Sequence, residues 1–240
     1  MAELHIAELE QLRLSNLHAF YGESHILHGI DMKVHRGELV TLLGRNGSGR
    51  STILKSIMGM VGRRTGSIMI NGKETTTLPP FRIPRLGAGY CPEERGIFAS
   101  LDVEENLLLP PTVRSDGMSL DEIYEMFPNL YERRRSQGTR LSGGEQQMLA
   151  MARILRTGAN LLLLDEITEG LAPVIVQKLA EVLLKLKEKN LTIILVEQNF
   201  RFAAPLADRH YLIEHGQIIK EISAAELPGQ MDLLHRQLGV

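Results

Sequence analysis

The apolar positions of this chain change period several times, and each change outlines an element. Segment 12–43, LRLSNLHAFYGESHILHGIDMKVHRGELVTLL, alternates apolar and polar residues in short runs with glycine and polar breaks. A period of two marks strands buried on one face, so the segment is predicted to form short strands at the edge of an antiparallel sheet. At ELVTLL (38–43) the alternation gives way to a buried strand that runs into GRNGSGRST (44–52), and a helix follows over STILKSIMGM (51–60). GSIMING (66–72) predicts a hairpin with Asn71-Gly72 at its turn. LGAGYCP (86–92) predicts a strand ended by Pro92.

From Val103 to about Arg135 two helical segments are broken by PPTVRSDGMS (110–119), whose composition is that of the most mobile stretch of the chain. EQQMLAMARILR (145–156) places apolar residues at helix spacing, with Met148 and Met151 on the core face. Strands and helices then alternate: LLLLDE (161–166), a helix near 174–189, TIILVEQ (192–198), a short helix near 199–206, HYLIE (210–214), QIIKEI (217–222) and a short helical tail. Continuous apolar runs indicate central parallel strands covered on both faces. The fold class is therefore α/β, with a mixed core sheet, an antiparallel β portion and a helical portion. No repeat, low-complexity segment or long linker interrupts it.

Length and charge narrow the function. The 240 residues, 43% of them hydrophobic, suit one large domain with a small appended part. A formal charge of −2 supplies no field for nucleic acid or an anionic membrane, and the runs Arg63-Arg64 and Arg133–Arg135 read as solvated surface. Cys91 is the sole cysteine, so no internal disulfide forms and a reducing cytoplasm fits. It stands beside Pro92 without a nearby histidine, which argues against a nucleophile. The start MAELHIAELEQ lacks the basic-then-apolar order of a signal peptide. No uncharged apolar run approaches the roughly 20 residues that a membrane span needs. If the protein serves transport, its pore lies on other chains. His18, His25, His28 and His35 match no standard metal-ligand spacing and read as surface residues.

Three segments carry chemistry. The first, Gly44, Arg45, Asn46, Gly47, Ser48, Gly49, Arg50, Ser51 and Thr52, fits the phosphate-loop pattern G-x-x-x-x-G-K-[ST] except at Arg50. Its glycines permit turns that aim amides at phosphate oxygens, and the following helix N-terminus favours negative charge. The motif lysine would reach the β- and γ-phosphates, Ser51 would give Mg²⁺ an oxygen, and Asn46 could orient by hydrogen bonds. A glycine-rich turn without a ligand explains the loop alone equally well. The second segment, LLLLDE, delivers Asp165 and Glu166 to the carboxyl end of a buried strand, where open α/β sheets bind ligands. Asp165 suits Mg²⁺, directly or through water, and Glu166 suits orienting or deprotonating an attacking water. A solvated acidic pair at a strand end is the plainer reading. The third, LSGGEQQ, exposes Ser142, Gly143 and Gly144 at a helix N-terminus, with Glu145 in the first turn. Ser142 and Glu145 also make an ordinary capping box, and both readings hold together.

In this order and spacing the three segments resemble the nucleotide-binding subunit of ATP-binding-cassette (ABC) transporters, a P-loop NTPase fold, over nearly the whole chain. The resemblance implies ATP and Mg²⁺ as cofactors, and two cassettes that sandwich two ATPs head to tail. In that arrangement the signature Ser142–Glu145 of one subunit contacts the γ-phosphate held by the other. It further implies that Tyr21 stacks on adenine and that Glu93 lies where the family usually has a glutamine touching Mg²⁺ or its water. Gln198 falls where most cassettes place a switch histidine near the γ-phosphate. Thr168–Ala172 falls in the loop facing the second subunit, with Ala172 in place of the usual aspartate. The implied division is residues 1–92 and 157–240 as core and antiparallel β subdomain, and 93–156 as helical subdomain, within one cassette of 1–240.

YCPEERGIFASLDVEENL, LSGGEQQMLAMAR, TEGLAP and VEQN look like the second ATPase subunit of branched-chain (hydrophobic) amino-acid uptake transporters, with urea or short-chain amide importers closely similar. In that subfamily Glu93, Gln198 and EGLAP are the normal text, whereas Arg50 and Ile167 replace a lysine and a proline. The implied partners are transmembrane permease subunits, a second cassette (a paralogue or a second copy) and, indirectly, a periplasmic binding protein, with no nucleic acid. The implied location is the cytoplasmic face of the membrane, held there by the permeases. Cassettes acting on DNA insert a long coiled coil between phosphate loop and signature, where this chain has only about ninety residues without heptads. Ribosome-acting relatives join two cassettes in one chain. A non-hydrolysing regulatory cassette remains the third class, motivated by Arg50. Arginine keeps the charge on a longer, planar group, so weaker ATP binding and slower hydrolysis are expected. Ile167 is expected to loosen the turn after Glu166, since proline would fix φ there.

Overall fold

The computed structural model describes residues 10–115 and 117–238. An antiparallel sheet has the order β2-β1-β4-β5, from β1 (Glu10–Tyr21), β2 (Ser24–His35), β4 (Arg63–Ile70) and β5 (Lys73–Glu74). Where the sequence pattern predicts several short strands, β1 and β2 are continuous over 12 residues each. The polar and glycine interruptions are bulges, not ends: the register shifts between Leu14 and Leu17, and Asn16 within that shift has φ 48°. A bulge absorbs an extra residue without ending the ladder. Gly29 opposes it because a Cβ there would lie 2.9 Å from the Asn16 side-chain oxygen. Asn71 and Gly72, with φ of 50° and 74°, join β4 to β5 as predicted, since a two-residue hairpin of this kind needs positive φ at both positions.

The second sheet has the order β10-β9-β3-β8-β7-β6. Its strands are β3 (Leu39–Leu43), β6 (Ala88–Cys91), β7 (Leu161–Asp165), β8 (Thr192–Val196), β9 (Arg209–Glu214) and β10 (Gln217–Ser223). The strands from β9 to β6 run parallel, and β10 is antiparallel on β9. Every residue of β3, β7 and β8 is buried. Leu161 and Leu163 pack with Ile53, Leu54 and Ile57 of α1 (Arg50–Ile57) and with the antiparallel sheet. Leu162 and Leu164 face the opposite layer, with Met148 and Met151 of α5 (Gly143–Arg156) and Leu179 of α6 (Pro173–Glu188). Two covered faces explain the unbroken apolar runs.

Between 103 and 135 there are three helices where two were predicted: α2 (Val103–Leu108), α3 (Leu120–Met126) and α4 (Pro128–Glu132). Phe127, at φ −127° and ψ 72°, leaves the helical region because Pro128 crowds the residue before it, and Pro128 itself starts α4. All three pack on α5. In segment 110–119 Asp116 lies outside the described residues, but the amides of Val113 and Arg114 donate to the Thr157 carbonyl and that of Met118 to Leu155. The short α7 (Phe200–Ala203) and the terminal α8 (Met231–Leu238) complete the chain. Strand β8 stops at Val196, two residues before the predicted end, so Glu197 and Gln198 leave the ladder at the carboxyl edge of the sheet. Among the described residues no helix is long and apolar enough to cross a membrane.

Candidate nucleotide site

Strand β3 delivers the glycine loop to the carboxyl edge of the parallel sheet, and α1 leaves it. Gly49 has φ 106°, a conformation strained for any side chain, and its carbonyl accepts the Ile53 amide at 3.0 Å to open α1. At Gly44 a Cβ would lie 2.4 Å from the Ile213 carbonyl oxygen, so the β9 backbone demands glycine there. The turn after β9 braces the loop: the Gly216 amide donates to Ser48 O (2.8 Å), and Gly216 O accepts the His28 amide of β2 (2.9 Å).

A cavity of about 510 Å³ opens over the loop, lined by Tyr21, residues 46–52, Glu93, Glu166, Glu169 and Gln198. It thus gathers Tyr21, Asn46, Gly47, Ser48, Gly49, Arg50, Ser51, Thr52, Glu93, Glu166 and Gln198 from among the sequence candidates. Gly44 does not line it, and Arg45 lines a neighbouring recess with Asn46, Ser48 and His215. Asp165 lies beneath the cavity floor, 2% exposed, accepting from Ser51 Oγ (2.8 Å) and from the Tyr90 hydroxyl (2.9 Å). Burial raises its pKa, against the two hydroxyl donors. Burial also raises that of Glu93, helped by Glu166, Glu94, Asp165 and Glu169.

Arg50 is 4% exposed and turns inward. Nη2 donates to Glu166 Oε1 at 3.0 Å and to Asn46 Oδ1 at 3.2 Å, while Nη1 donates to the Glu197 carbonyl at 2.9 Å. The second oxygen of Glu166 accepts from Gln198 Nε2 at 2.7 Å. Both oxygens of the predicted water-activating carboxylate are therefore engaged within the chain. Glu166 itself has φ 49°, a left-handed conformation uncommon for a residue with a side chain. Ile167 does not hang loose behind it: its side chain is 1% exposed in the α5–α6 core with Leu164 and Leu195.

The segment Ser142–Glu145 forms the capping box at the start of α5: the Glu145 amide donates to Ser142 Oγ (3.3 Å), and the Ser142 amide to Glu145 Oε2 (2.7 Å). None of these residues lines the cavity of the same chain. Glycine at 144 is required because a Cβ would lie 2.8 Å from Ile175 Cγ2. His25 is exposed and lies 3.0 Å, nitrogen to nitrogen, from the partly buried His18 across β1 and β2. Among the described residues no group of three or more His, Cys, Asp or Glu side chains is arranged to hold a metal ion.

Three participants escape sequence reasoning. Tyr90 reaches Asp165 only because β6 pairs with β7, and Glu169 reaches the cavity through the turn after β7. Glu197 is the third, and a charged residue closing an otherwise apolar strand run was its available signal.

A glycine loop feeding a helix, an acidic pair two strands away and a flanking aromatic, gathered at the carboxyl edge of a parallel sheet, define a nucleotide-binding cassette of the P-loop kind. The family description "ABC transporter" matches residues 27–169. The chain is 41% identical over 219 residues to the high-affinity branched-chain amino acid transport ATP-binding protein BraG of Pseudomonas aeruginosa, covering 90% of this chain and 94% of that protein. It is 40% identical over 220 residues to the probable branched-chain amino acid transport ATP-binding protein LivF of Archaeoglobus fulgidus, covering 90% and 93%. An ATP-binding cassette solved as a dimer in a post-hydrolysis state with ADP and Pi superposes with a TM-score of 0.79 at 25% identity, over 89% of this chain and 98% of that one. The chain belongs to the ABC transporter family, as an ATP-binding cassette.

Proposed function

We propose that this chain is an ATP-hydrolysing subunit that energises an importer of branched-chain or other hydrophobic amino acids. The observation that carries the catalytic part is the convergence, in one cavity, of the glycine loop, the Ser51–Asp165 contact and the Gln198–Glu166 contact. The solute is supported by the 41% identity to BraG over nearly the full length of both chains.

In this reading Tyr21, 47% exposed at the cavity rim, stacks on adenine, and the backbone of 44–52 cradles the phosphates. Ser51, Asp165 and Glu93 supply hard oxygen donors of the kind Mg²⁺ takes, and their small number suits an ion that keeps waters and phosphate oxygens. When bound, Mg²⁺ neutralises charge on the phosphate oxygens. Glu166 takes the proton of the attacking water, and Gln198 orients the carboxylate. Arg50, drawn to Glu166, leaves that carboxylate less free to act, which makes this a slow site.

The capping segment Ser142–Glu145 serves the nucleotide of a second cassette, a paralogue or a second copy, in a head-to-tail dimer. The antiparallel sheet and parallel core form one subdomain, and 93–156 the helical one. Between them an apolar groove of about 840 Å³, lined by Met58, Met60, Phe81, Tyr90, Pro92 and Ile154, receives a cytoplasmic helix of a permease subunit. The permeases hold the chain at the inner face of the membrane, and a periplasmic binding protein reaches it through them.

Reconstitution with permeases, partner cassette and binding protein in vesicles tests the reading. ATP hydrolysis stimulated by leucine-loaded binding protein and abolished in Glu166→Gln supports it. Stimulation by urea or an amide in place of leucine overturns the solute, and hydrolysis untouched by Glu166→Gln overturns the catalytic assignment.

A further inference from the structure

The group that the proposed chemistry leaves unused is Glu197, 2% exposed beyond the end of β8. Its Oε1 accepts from the Thr168 amide (3.0 Å) and its Oε2 from Thr168 Oγ1 (2.8 Å). Each carboxylate oxygen thus accepts from Thr168, two positions after Glu166. Its carbonyl accepts from Arg50 Nη1. On either side, the Glu166 amide donates to Val196 O (2.9 Å) and Gln198 Nε2 to Glu166 Oε2 (2.7 Å). Turn 166–168 and segment 196–198 are therefore joined at three successive places, and the middle joint is a buried carboxylate.

Such a joint is expensive. Burying a carboxylate costs free energy even when it is fully hydrogen-bonded. Burial raises the pKa of Glu197, the nearby charge of Glu166 raises it further, and the Thr168 and Asn199 hydrogen bonds oppose both. Packing alone could be met by an apolar residue at lower cost. What the carboxylate provides is direction: a two-point grip on Thr168 fixes the backbone on both sides of Ile167, where Glu166 stands at φ 49°. A sparsely populated conformation persists only where the surroundings over-determine it.

We propose that Glu197 is a positioning residue for hydrolysis, whose carboxylate clips the Thr168 turn to the end of β8 and thereby holds Glu166 and Gln198 in register at the cavity. The proposal rests on the reading of Glu166 as the group that accepts the proton of the attacking water. Glu197 touches no nucleotide atom in this role. It acts through the backbone of 166–168.

The test compares Glu197→Gln and Thr168→Val in the whole chain, by steady-state ATP hydrolysis and by amide hydrogen exchange across 166–168. Thr168→Val preserves shape and removes only the hydroxyl grip, so it reports even if Glu197→Gln folds poorly. The expected result is a kcat lower by about tenfold to a hundredfold with the KM for ATP within about threefold of wild type. The double variant should be no worse than the poorer single one. Exchange at 166–168 should quicken by about tenfold with the rest of the sheet unchanged. Unchanged exchange removes the clip, whatever the activity shows. Faster exchange with a wild-type kcat removes the positioning role. A loss seen in KM alone removes it too. Should wild type and Glu166→Gln hydrolyse ATP equally, the catalytic reading fails and the positioning role with it, while exchange still reports on the clip.

Discussion

Arg50 Nη2 lies 3.0 Å from Glu166 Oε1, joining the residue at the phosphate-loop lysine position to the carboxylate proposed to activate water. The two terminal nitrogens of the guanidinium donate to that carboxylate, to Asn46 and to the Glu197 carbonyl. A lysine ammonium is a compact point charge on a flexible stem and cannot span the three acceptors in one plane. Arg50→Lys is therefore expected to free Glu166 and raise steady-state ATP hydrolysis by about tenfold. Removing one partner of a buried ion pair costs about 3–5 kcal/mol, so Arg50→Ala would mix destabilisation with any catalytic change. Lysine is the informative replacement, and a turnover that it does not raise would show that Arg50 imposes no brake.

Tyr21 carries the prediction for binding. It is half exposed at the rim of the cavity. Aromatic stacking on a base is worth about 1–3 kcal/mol. Tyr21→Ala is expected to raise the KM for ATP by roughly tenfold with little change in kcat, and Tyr21→Phe to restore it. A fall in kcat at constant KM would place adenine elsewhere.

The glycine loop and the acidic pair are legible in the sequence because their chemistry is local: a turn, a helix N-terminus and a strand end are all set by neighbours in the chain. The direction of the Arg50 side chain is not, since it depends on Glu166 and Glu197, which arrive from strands β7 and β8. Tyr90 is hidden for the same reason, being brought to Asp165 by strand pairing. The long strands β1 and β2 read as fragments because a bulge at Asn16 breaks the period of two without breaking the ladder.

Ile167 tests what anchors the turn after Glu166. Its side chain is buried in the α5–α6 core, so truncation leaves a cavity. Ile167→Ala is expected to lower stability by about 2–4 kcal/mol in urea unfolding. A loss below about 0.5 kcal/mol, the size typical of surface substitutions, would mean that the turn does not depend on this packing.

Glu197 makes a prediction for stability against pH that is separate from its role in turnover. Burial pushes its pKa from an ordinary 4.5 up to about 7 in the folded chain. Between those two values the unfolded chain has released this proton and the folded chain still holds it, so stability falls as pH rises. The contribution is fully present below about pH 4.5, declines across the interval and is lost above about pH 7. The comparison is with Glu197→Gln, which cannot ionise in that window, so the contributions of other titrating groups cancel. The stability of wild type relative to Glu197→Gln is expected to drop between pH 5 and 8, by an amount on the order of 1–3 kcal/mol. Thermal melts of both proteins at matched pH values would show it as a difference in Tm that changes with pH. Parallel curves for the two proteins would mean that Glu197 titrates alike in the folded and unfolded chains, and that its burial carries no proton with it.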